Sequence, residues 1–194
     1  MRSRRFLALV LLASACSGCQ PVLVQHPLGT PVNEDLSKTF DGVWETHDGR
    51  FVFFVKSNPH GLLDVAGIEW REGKFVLRDT SCIVTRLGDW SYLNVPLPPD
   101  SLGRQFYLFA PFVANTDGSM ITAFVPSYKF FIQAIGNKDL LGVSKGQLLN
   151  HIEIDDPKQK FFETQADAIM RSSQAIILKR TRKGLISVAW PMEK

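Results

Sequence analysis

The residues best spaced for acid–base or metal chemistry lie in one short segment. His151, Glu153 and Asp155 alternate with Ile152 and Ile154. In a strand these three polar side chains lie on one face, because successive residues point to opposite sides. A row on a single strand rarely converges on one point, so the pattern is more typical of a solvated face with the isoleucines in the core. We therefore predict no catalytic or metal-binding residues here.

Short catalytic motifs are missing from the sequence. It contains no Gly-x-Ser-x-Gly elbow, no His-Glu-x-x-His pair and no glycine-rich phosphate loop. Of the other histidines, His26 lies near the N-terminus, while His47 and His60 fall at turns. We expect a protein that is not an enzyme and that uses no cofactor or metal.

The first residues have the layout of an export signal. Residues 1–5 carry three arginines and no acidic residue, residues 6–13 form an unbroken apolar run, and small residues and cysteines fill positions 14–19. This order is that of a secretory signal, and the apolar run is too short for a permanent membrane-spanning helix.

Residues 12–16 (Leu-Ala-Ser-Ala-Cys) resemble the lipobox of bacterial lipoproteins. In that family the signal is cut before the cysteine and the thiol is diacylated. The resemblance implies a signal peptide over residues 1–15 and lipidation of Cys16, with Cys19 as the alternative. Two or three acyl chains make membrane retention close to permanent. Because Ser17 follows Cys16 where an Asp would favour the inner membrane, the resemblance implies an outer-membrane anchor facing the periplasm.

Two other interpretations of the signal remain open. Residues 13–15 (Ala-Ser-Ala) also suit ordinary signal cleavage, which would release a soluble secreted protein. Residues 3–7 resemble a twin-arginine export signal that has one residue fewer than usual between the arginines and the Phe-Leu pair.

The cysteines allow little other chemistry. Acylation of Cys16 or Cys19 removes that residue as a ligand, so their Cys-x-x-Cys spacing predicts no metal site. Cys82 can either pair with Cys19 in an exported protein or serve as a small buried apolar residue on a strand.

Composition excludes a nucleic-acid partner and predicts a substantial core. Among the 194 residues are 22 Lys and Arg against 19 Asp and Glu. Loss of Arg2, Arg4 and Arg5 with the signal lowers the basic count to 19, so the mature chain is close to neutral. The 45% hydrophobic share and 14 phenylalanines are sufficient for one well-packed domain.

The chain divides into a lipidated N-terminus with a flexible tether over residues 16–38 and a single β-rich domain over residues 39–194. Pro21, Pro27, Gly29 and Pro31 break any periodicity in the tether. In the domain, turn signals such as Asp48-Gly49 separate short β-prone runs. We predict strands at residues 42–46, 51–56, 63–70, 74–78, 82–87, 90–95, 106–113, 120–125, 148–154 and 175–178.

Two helices interrupt this pattern. Ser127 can cap a helix that ends at Gly136, and Asp156-Pro157 can begin a second one that extends to about Met170. A mainly β chain of short strands must hide its edges, which closure achieves. We therefore predict a small antiparallel barrel, closed or nearly closed, of about eight to ten strands, with one or two accessory helices packed at its openings.

Residues 40–45 (Phe-Asp-Gly-Val-Trp-Glu) resemble the Gly-x-Trp motif in the first strand of lipocalins. The resemblance implies that Trp44 packs across one barrel end and that a late arginine, Arg180 or Arg182, lies over it. It also agrees with a lipoprotein signal, because some bacterial lipocalins are outer-membrane lipoproteins. A fold likeness of this kind is an analogy and does not identify a ligand.

These observations lead to three hypotheses. The first is a non-enzymatic, lipid-anchored envelope lipoprotein whose aromatic-rich barrel binds an apolar ligand or a partner protein. The second is a structural or assembly lipoprotein that acts by surface contacts alone. The third and weakest is a hydrolase that uses His151. The size of the barrel cavity separates the first two.

Overall fold

The structure is a computed structural model that describes residues 21–71, 73–145, 151–154 and 159–181. The strands, in chain order, are β1 (Val22–Val24), β2 (Thr30–Pro31), β3 (Gly42–Thr46), β4 (Phe51–Asn58), β5 (Leu62–Arg71), β6 (Lys74–Leu87), β7 (Trp90–Pro96), β8 (Tyr107–Ala114), β9 (Met120–Val125), β10 (Val143–Lys145), β11 (His151–Ile154) and β12 (Gln174–Arg180). The helices are α1 (Ser37–Phe40), α2 (Tyr128–Gly136) and α3 (Gln159–Ser172).

Eight of these strands form a closed antiparallel barrel, which confirms the predicted fold class. Strands β3 to β9 follow one another around the wall, and β12 lies between β9 and β3 to close it. Side chains alternate along each strand, so that Phe51, Phe53 and Val55 of β4 face the interior while Val52 and Phe54 face outward. Closure pairs every edge of the barrel, which is the usual solution for a sheet of this size.

Strand β6 is longer than predicted. The sequence analysis divided it into strands 74–78 and 82–87, whereas β6 runs without a break over 14 residues. Residues 79–81 stay in the ladder because each pairs with β5, Asp79 with Ala66, Thr80 with Val65 and Ser81 with Asp64. The polar Asp-Thr-Ser run is therefore strand and not turn.

The two long helices lie on the outer wall and not at the openings, where we had predicted them. Phe109 of β8 points away from the interior and meets Phe131 of α2 and Phe162 of α3, at ring-centroid distances of 5.8 and 5.5 Å. Tyr92 of β7 and Ile169 of α3 are buried in the same cluster. The helices bury their apolar faces on the wall because strands β7 and β8 are apolar on both sides. No helix in the described ranges is both long and apolar enough to span a membrane.

Residues 21–38, which we had placed in the tether, are instead packed against the barrel. Strand β1 is buried and extends the sheet beside β8 and β11. Leu28, Val32 and Leu36 bury their side chains at intervals along the segment. The four-residue spacing alone would suit a helix face, but the prolines and glycine argued against a helix, so nothing in the sequence indicated that the segment is packed.

Two buried polar side chains fasten this segment to the wall. Asn94 Oδ1 accepts a hydrogen bond from Leu28 N at 2.9 Å, and Asn94 Nδ2 donates one to Thr85 Oγ1 at 2.8 Å. The Thr85 hydroxyl in turn donates to Leu28 O. Asn94 and Thr85 are fully buried, so these bonds satisfy groups that water cannot reach.

Candidate functional site

The barrel encloses an apolar cavity of about 150 Å³. Phe53, Val65, Leu93, Ile121 and Leu178 contribute to a lining that draws on the inward faces of most strands of the wall. Thr46, Thr80 and Cys82 add polar atoms to this lining. The Thr46 hydroxyl is already used, because it donates to Asp48 Oδ1 at 2.6 Å and accepts from Phe51 N. An apolar cavity of this volume can admit a small aromatic ligand such as benzene.

One end of the cavity is lined by Phe40 and Trp44, and Arg180 lies over the Trp44 ring. The Trp44 indole is buried, and its Nε1 donates a hydrogen bond to Phe40 O at 2.7 Å. The Arg180 guanidinium lies 4.7 Å from the centroid of the Trp44 ring. Arg180 Nη2 also donates to Lys38 O and Thr39 O of α1, at 2.9 and 2.5 Å. Arg180 of β12 thus contacts both β3 and the short helix α1.

This arrangement is the one implied by the Gly-x-Trp resemblance. Of the two candidate arginines, Arg180 lies over Trp44, and Arg182 lies outside the described residues. Gly42, two residues before Trp44, has a φ of +139°, a backbone conformation that residues with a side chain rarely adopt. The glycine of the motif therefore permits the backbone geometry at the start of β3.

A buried ion pair lies farther along the inner wall, toward the hairpin that joins β5 and β6. Arg78 Nε and Nη2 donate to Glu69 Oε2 at 3.2 and 3.0 Å. The two side chains are only 5% and 4% exposed, for Glu69 and Arg78 respectively. Sequence reasoning missed this pair because the apolar residues of this part of β5, Ile68 and Trp70, point outward. The alternation of apolar and polar residues therefore predicts that Glu69 faces solvent, whereas it faces the interior of the barrel.

Cys82 faces the cavity as a buried free thiol on β6. This is one of the two states that the sequence left open for it. Burial, with a smaller effect from the Asp64 carboxylate, raises the pKa of the thiol to about 12. The thiol is therefore protonated and unreactive at neutral pH.

The other predicted residues lie partly outside the described ranges. Cys16, Cys19 and Asp155 fall among residues that the structure does not describe. His151 and Glu153 lie on β11, which pairs with β1 and β10, so the predicted strand is present. Within the described ranges, no group of three or more His, Cys, Asp or Glu side chains is arranged to hold a metal ion.

A second surface with functional potential lies outside the barrel, on the outward faces of β4, β5 and β6. Cross-strand pairing brings Val52 beside Ile68, Ile68 beside Leu77, and Trp70 beside Phe75. The ring centroids of Trp70 and Phe75 lie 4.7 Å apart, in an edge-on contact. We call this surface the outer apolar patch; its members are Val52, Phe54, Ile68, Trp70, Phe75 and Leu77, all exposed.

Comparisons with known proteins add no assignment. A scan against protein-family models found no match to this chain, and a search of curated protein sequences found none either. The functional argument therefore rests on the residues and their geometry.

Proposed function

We propose that the protein is a lipid-anchored lipoprotein of the bacterial cell envelope whose barrel binds a small apolar ligand without chemical conversion. The observation that carries the ligand role is the apolar cavity of about 150 Å³. A filled barrel of this size would have argued against the proposal. Burial of an apolar ligand in such a cavity is favourable because it removes apolar surface from water.

The aromatic end of the cavity supports a binding role. Phe40 and Trp44 present flat apolar surfaces to the cavity and are held rigidly by their neighbours. Phe40 contacts Phe112 edge-on at 5.5 Å, and Trp44 lies beneath Arg180. Because these side chains are already fixed, a ligand would lose little affinity to ordering the protein.

Calorimetric titration with cumene tests the ligand role. We expect saturable binding of one cumene molecule with a dissociation constant on the order of 0.1 mM, which corresponds to about −5.5 kcal/mol. Ala110, which lines the cavity, gives the variant Ala110→Leu that fills part of it, and we expect this variant to bind at least about tenfold more weakly.

The matched control is the same substitution on the outside. Ala175 lies on β12 with its side chain exposed, so Ala175→Leu adds the same atoms without touching the cavity. We expect it to bind cumene as the unsubstituted protein does. Absence of saturable binding, or equal weakening by both substitutions, would overturn the ligand role.

Intact-mass measurement of membrane-extracted protein tests the anchor separately. We expect a mature chain that begins at Cys16 and carries acyl chains. Cys16→Ser should abolish the acyl mass and release the protein from the membrane, whereas Cys19→Ser should retain both. An unacylated mature chain in the unsubstituted protein would remove the anchor from the proposal and leave cumene binding unaffected.

The outer apolar patch favours the second hypothesis, an assembly role through surface contacts. Phe75 and Leu77 are 73% and 77% exposed, and they lie beside other exposed apolar side chains. Contiguous exposed patches of this kind mark interaction surfaces more often than isolated apolar residues do. The patch lies on the outside of the wall, so an assembly role is compatible with a ligand inside.

A further inference from the structure

The Glu69–Arg78 pair leaves one hydrogen-bond donor unused. Glu69 Oε2 accepts from both Nε and Nη2 of Arg78. Arg78 Nη1 is buried and has no hydrogen-bond partner within the part of the chain that the structure describes. A buried donor without an acceptor costs more than an ordinary hydrogen bond contributes, and the cost is larger for a charged group. An acceptor that reached this nitrogen would therefore be bound with a clear advantage.

This donor lies next to the cavity. Arg78 is two residues from Thr80 on the same inward face of β6, and Thr80 lines the cavity. Residues at this spacing are about 7 Å apart along a strand. On the neighbouring strands, Glu69 pairs in register with Phe51, which also lines the cavity. The ion pair thus occupies the next layer of the interior.

Two phenylalanines of the cavity lining lie beside the ion pair on the neighbouring strand β4, Phe51 opposite Glu69 and Phe53 opposite Gly67. Phe51 and Phe53 stack with ring planes 3° apart and centroids 5.9 Å apart. The Phe53 ring lies against Gly67, the cross-strand partner of Arg78, where a Cβ would be 2.7 Å from Phe53 Cδ1. Because Gly67 has no side chain, the Phe53 ring can pack directly against the backbone of the wall. A flat apolar group can then lie along the two stacked rings with its polar end toward Arg78.

The charge of the pair determines which acceptor is suitable. Glu69 already neutralises Arg78, so an anionic ligand would add an uncompensated negative charge to a buried site. Such a charge is costly in a low-dielectric interior. A carbonyl oxygen has no net charge and can still accept a strong bond from a guanidinium. The site is thus suited to a neutral acceptor.

We propose that the barrel selects apolar ligands that bear an uncharged carbonyl oxygen, as in a ketone, ester, lactone or amide, and that Arg78 Nη1 donates a hydrogen bond to it. This proposal rests on the ligand role proposed above and specifies its ligand class. Glu69 is a positioning residue that sets the direction of the guanidinium and excludes carboxylates. The apolar part of the ligand occupies the cavity beside Phe51 and Phe53.

Three ligands of nearly the same shape test the selectivity. Cumene, acetophenone and benzoate each carry a phenyl ring attached to a carbon that bears two further heavy atoms. Cumene has no oxygen there, acetophenone has one neutral carbonyl oxygen, and benzoate has a carboxylate. We expect acetophenone to bind about tenfold more tightly than cumene, as one hydrogen bond to a charged donor allows. We expect benzoate to bind most weakly of the three.

The pair itself gives the decisive variant. Glu69→Leu with Arg78→Met replaces the buried ion pair by apolar groups of similar volume, a change that often leaves stability intact. In this double variant the acetophenone-to-cumene affinity ratio should fall to near one. In Glu69→Gln alone the guanidinium charge is no longer neutralised, and the preference should shift toward benzoate. The matched control is Glu34→Leu with Arg86→Met, which removes an exposed pair of the same 3.0 Å length.

The outcomes separate the two proposals. Equal binding of cumene and acetophenone, or tightest binding of benzoate, would overturn the carbonyl selectivity and leave the ligand role standing. Failure of all three ligands to bind would overturn both. An acetophenone preference that persists in the Glu69→Leu, Arg78→Met variant would assign the selectivity to another group and so refute the role of Arg78.

Discussion

The guanidinium of Arg180 lies 4.7 Å above the indole ring of Trp44, on the last and first strands of the barrel wall. These two residues are 136 positions apart in the chain. Their contact, with the two hydrogen bonds from Arg180 to the carbonyls of α1, adds a side-chain link to the β3–β12 ladder that closes the barrel.

Arg180→Met should therefore destabilise the whole domain. Loss of the cation–π contact and of two charge-assisted hydrogen bonds should cost about 2 to 3 kcal/mol in the free energy of unfolding. Urea denaturation followed by tryptophan fluorescence measures this. Arg86→Met is the control, because Arg86 makes only an exposed ion pair with Glu34 and should change stability by less than about 1 kcal/mol. Similar losses in both variants would contradict the closing role of Arg180.

Asn94→Ala should loosen the N-terminal segment. Without the side-chain amide, Leu28 N loses its acceptor in a place that water does not reach, at a cost of about 1 to 3 kcal/mol. Hydrogen exchange should show faster exchange at residues 28–32 than in the barrel strands. Asn58→Ala removes an exposed amide instead and should leave the exchange pattern unchanged. Uniform loss of protection across the barrel would argue against a local clamp.

The Cys82 thiol should make the protein less stable in alkali. Its folded-state pKa of about 12 lies above the ordinary thiol value of 9.0, so the protonated thiol is favoured by folding. The associated stability is present below pH 9 and is lost as the pH rises from 9 toward 12. Unfolding measured against pH should show this decline, and Cys82→Ala should make it shallower. Tyr92, whose pKa burial also raises to about 12, should preserve part of the decline in that variant.

Thiol modification gives an independent measure of the cavity. The measurement uses the Cys19→Ser variant, so that Cys82 is the remaining thiol beside the acylated cysteine. Because Cys82 lines the cavity and is protonated at neutral pH, a maleimide should react with it only when the barrel opens. Saturating cumene should slow the reaction further. Rapid modification in the folded state, unaffected by cumene, would show that the thiol is not enclosed with the ligand.

Leu77→Ser tests the outer apolar patch against a matched position. Leu77 and Leu102 are equally exposed, at 77%, but only Leu77 has exposed apolar neighbours across the strands. Both serine variants should keep the unfolding free energy within about 0.5 kcal/mol. Binding of the dye anilinonaphthalene sulfonate should fall for Leu77→Ser and remain unchanged for Leu102→Ser. Equal dye binding in the two variants would mean that the patch is not a continuous surface.

The sequence was most informative where local pattern and tertiary environment agree. The Asp48-Gly49 turn and the β-prone runs at residues 42–46 and at Phe51 follow from turn chemistry and residue type, and the barrel class followed from the number of such short strands. The position of Arg180 over Trp44 matched an expectation that came from resemblance alone.

The sequence was least informative where tertiary contacts oppose the local pattern. Ile68 and Trp70 are exposed while Glu69 is buried, because Arg78 on the next strand compensates the carboxylate. No local signal reports a partner nine residues away. Residues 21–38 are likewise held by Thr85 of β6 and Asn94 of β7, which lie more than 45 residues further along the chain. The sequence of the segment itself therefore does not show what holds it.

The packing of β1 against the wall limits how far the domain can move from a membrane. If Cys16 carries the lipid, only six peptide units separate it from Val22, the first residue of β1. A fully extended chain of that length spans about 20 Å. This is shorter than the diameter of about 30 Å of a small domain. The barrel would then remain within about 20 Å of the bilayer surface, and any ligand would be exchanged with molecules found there.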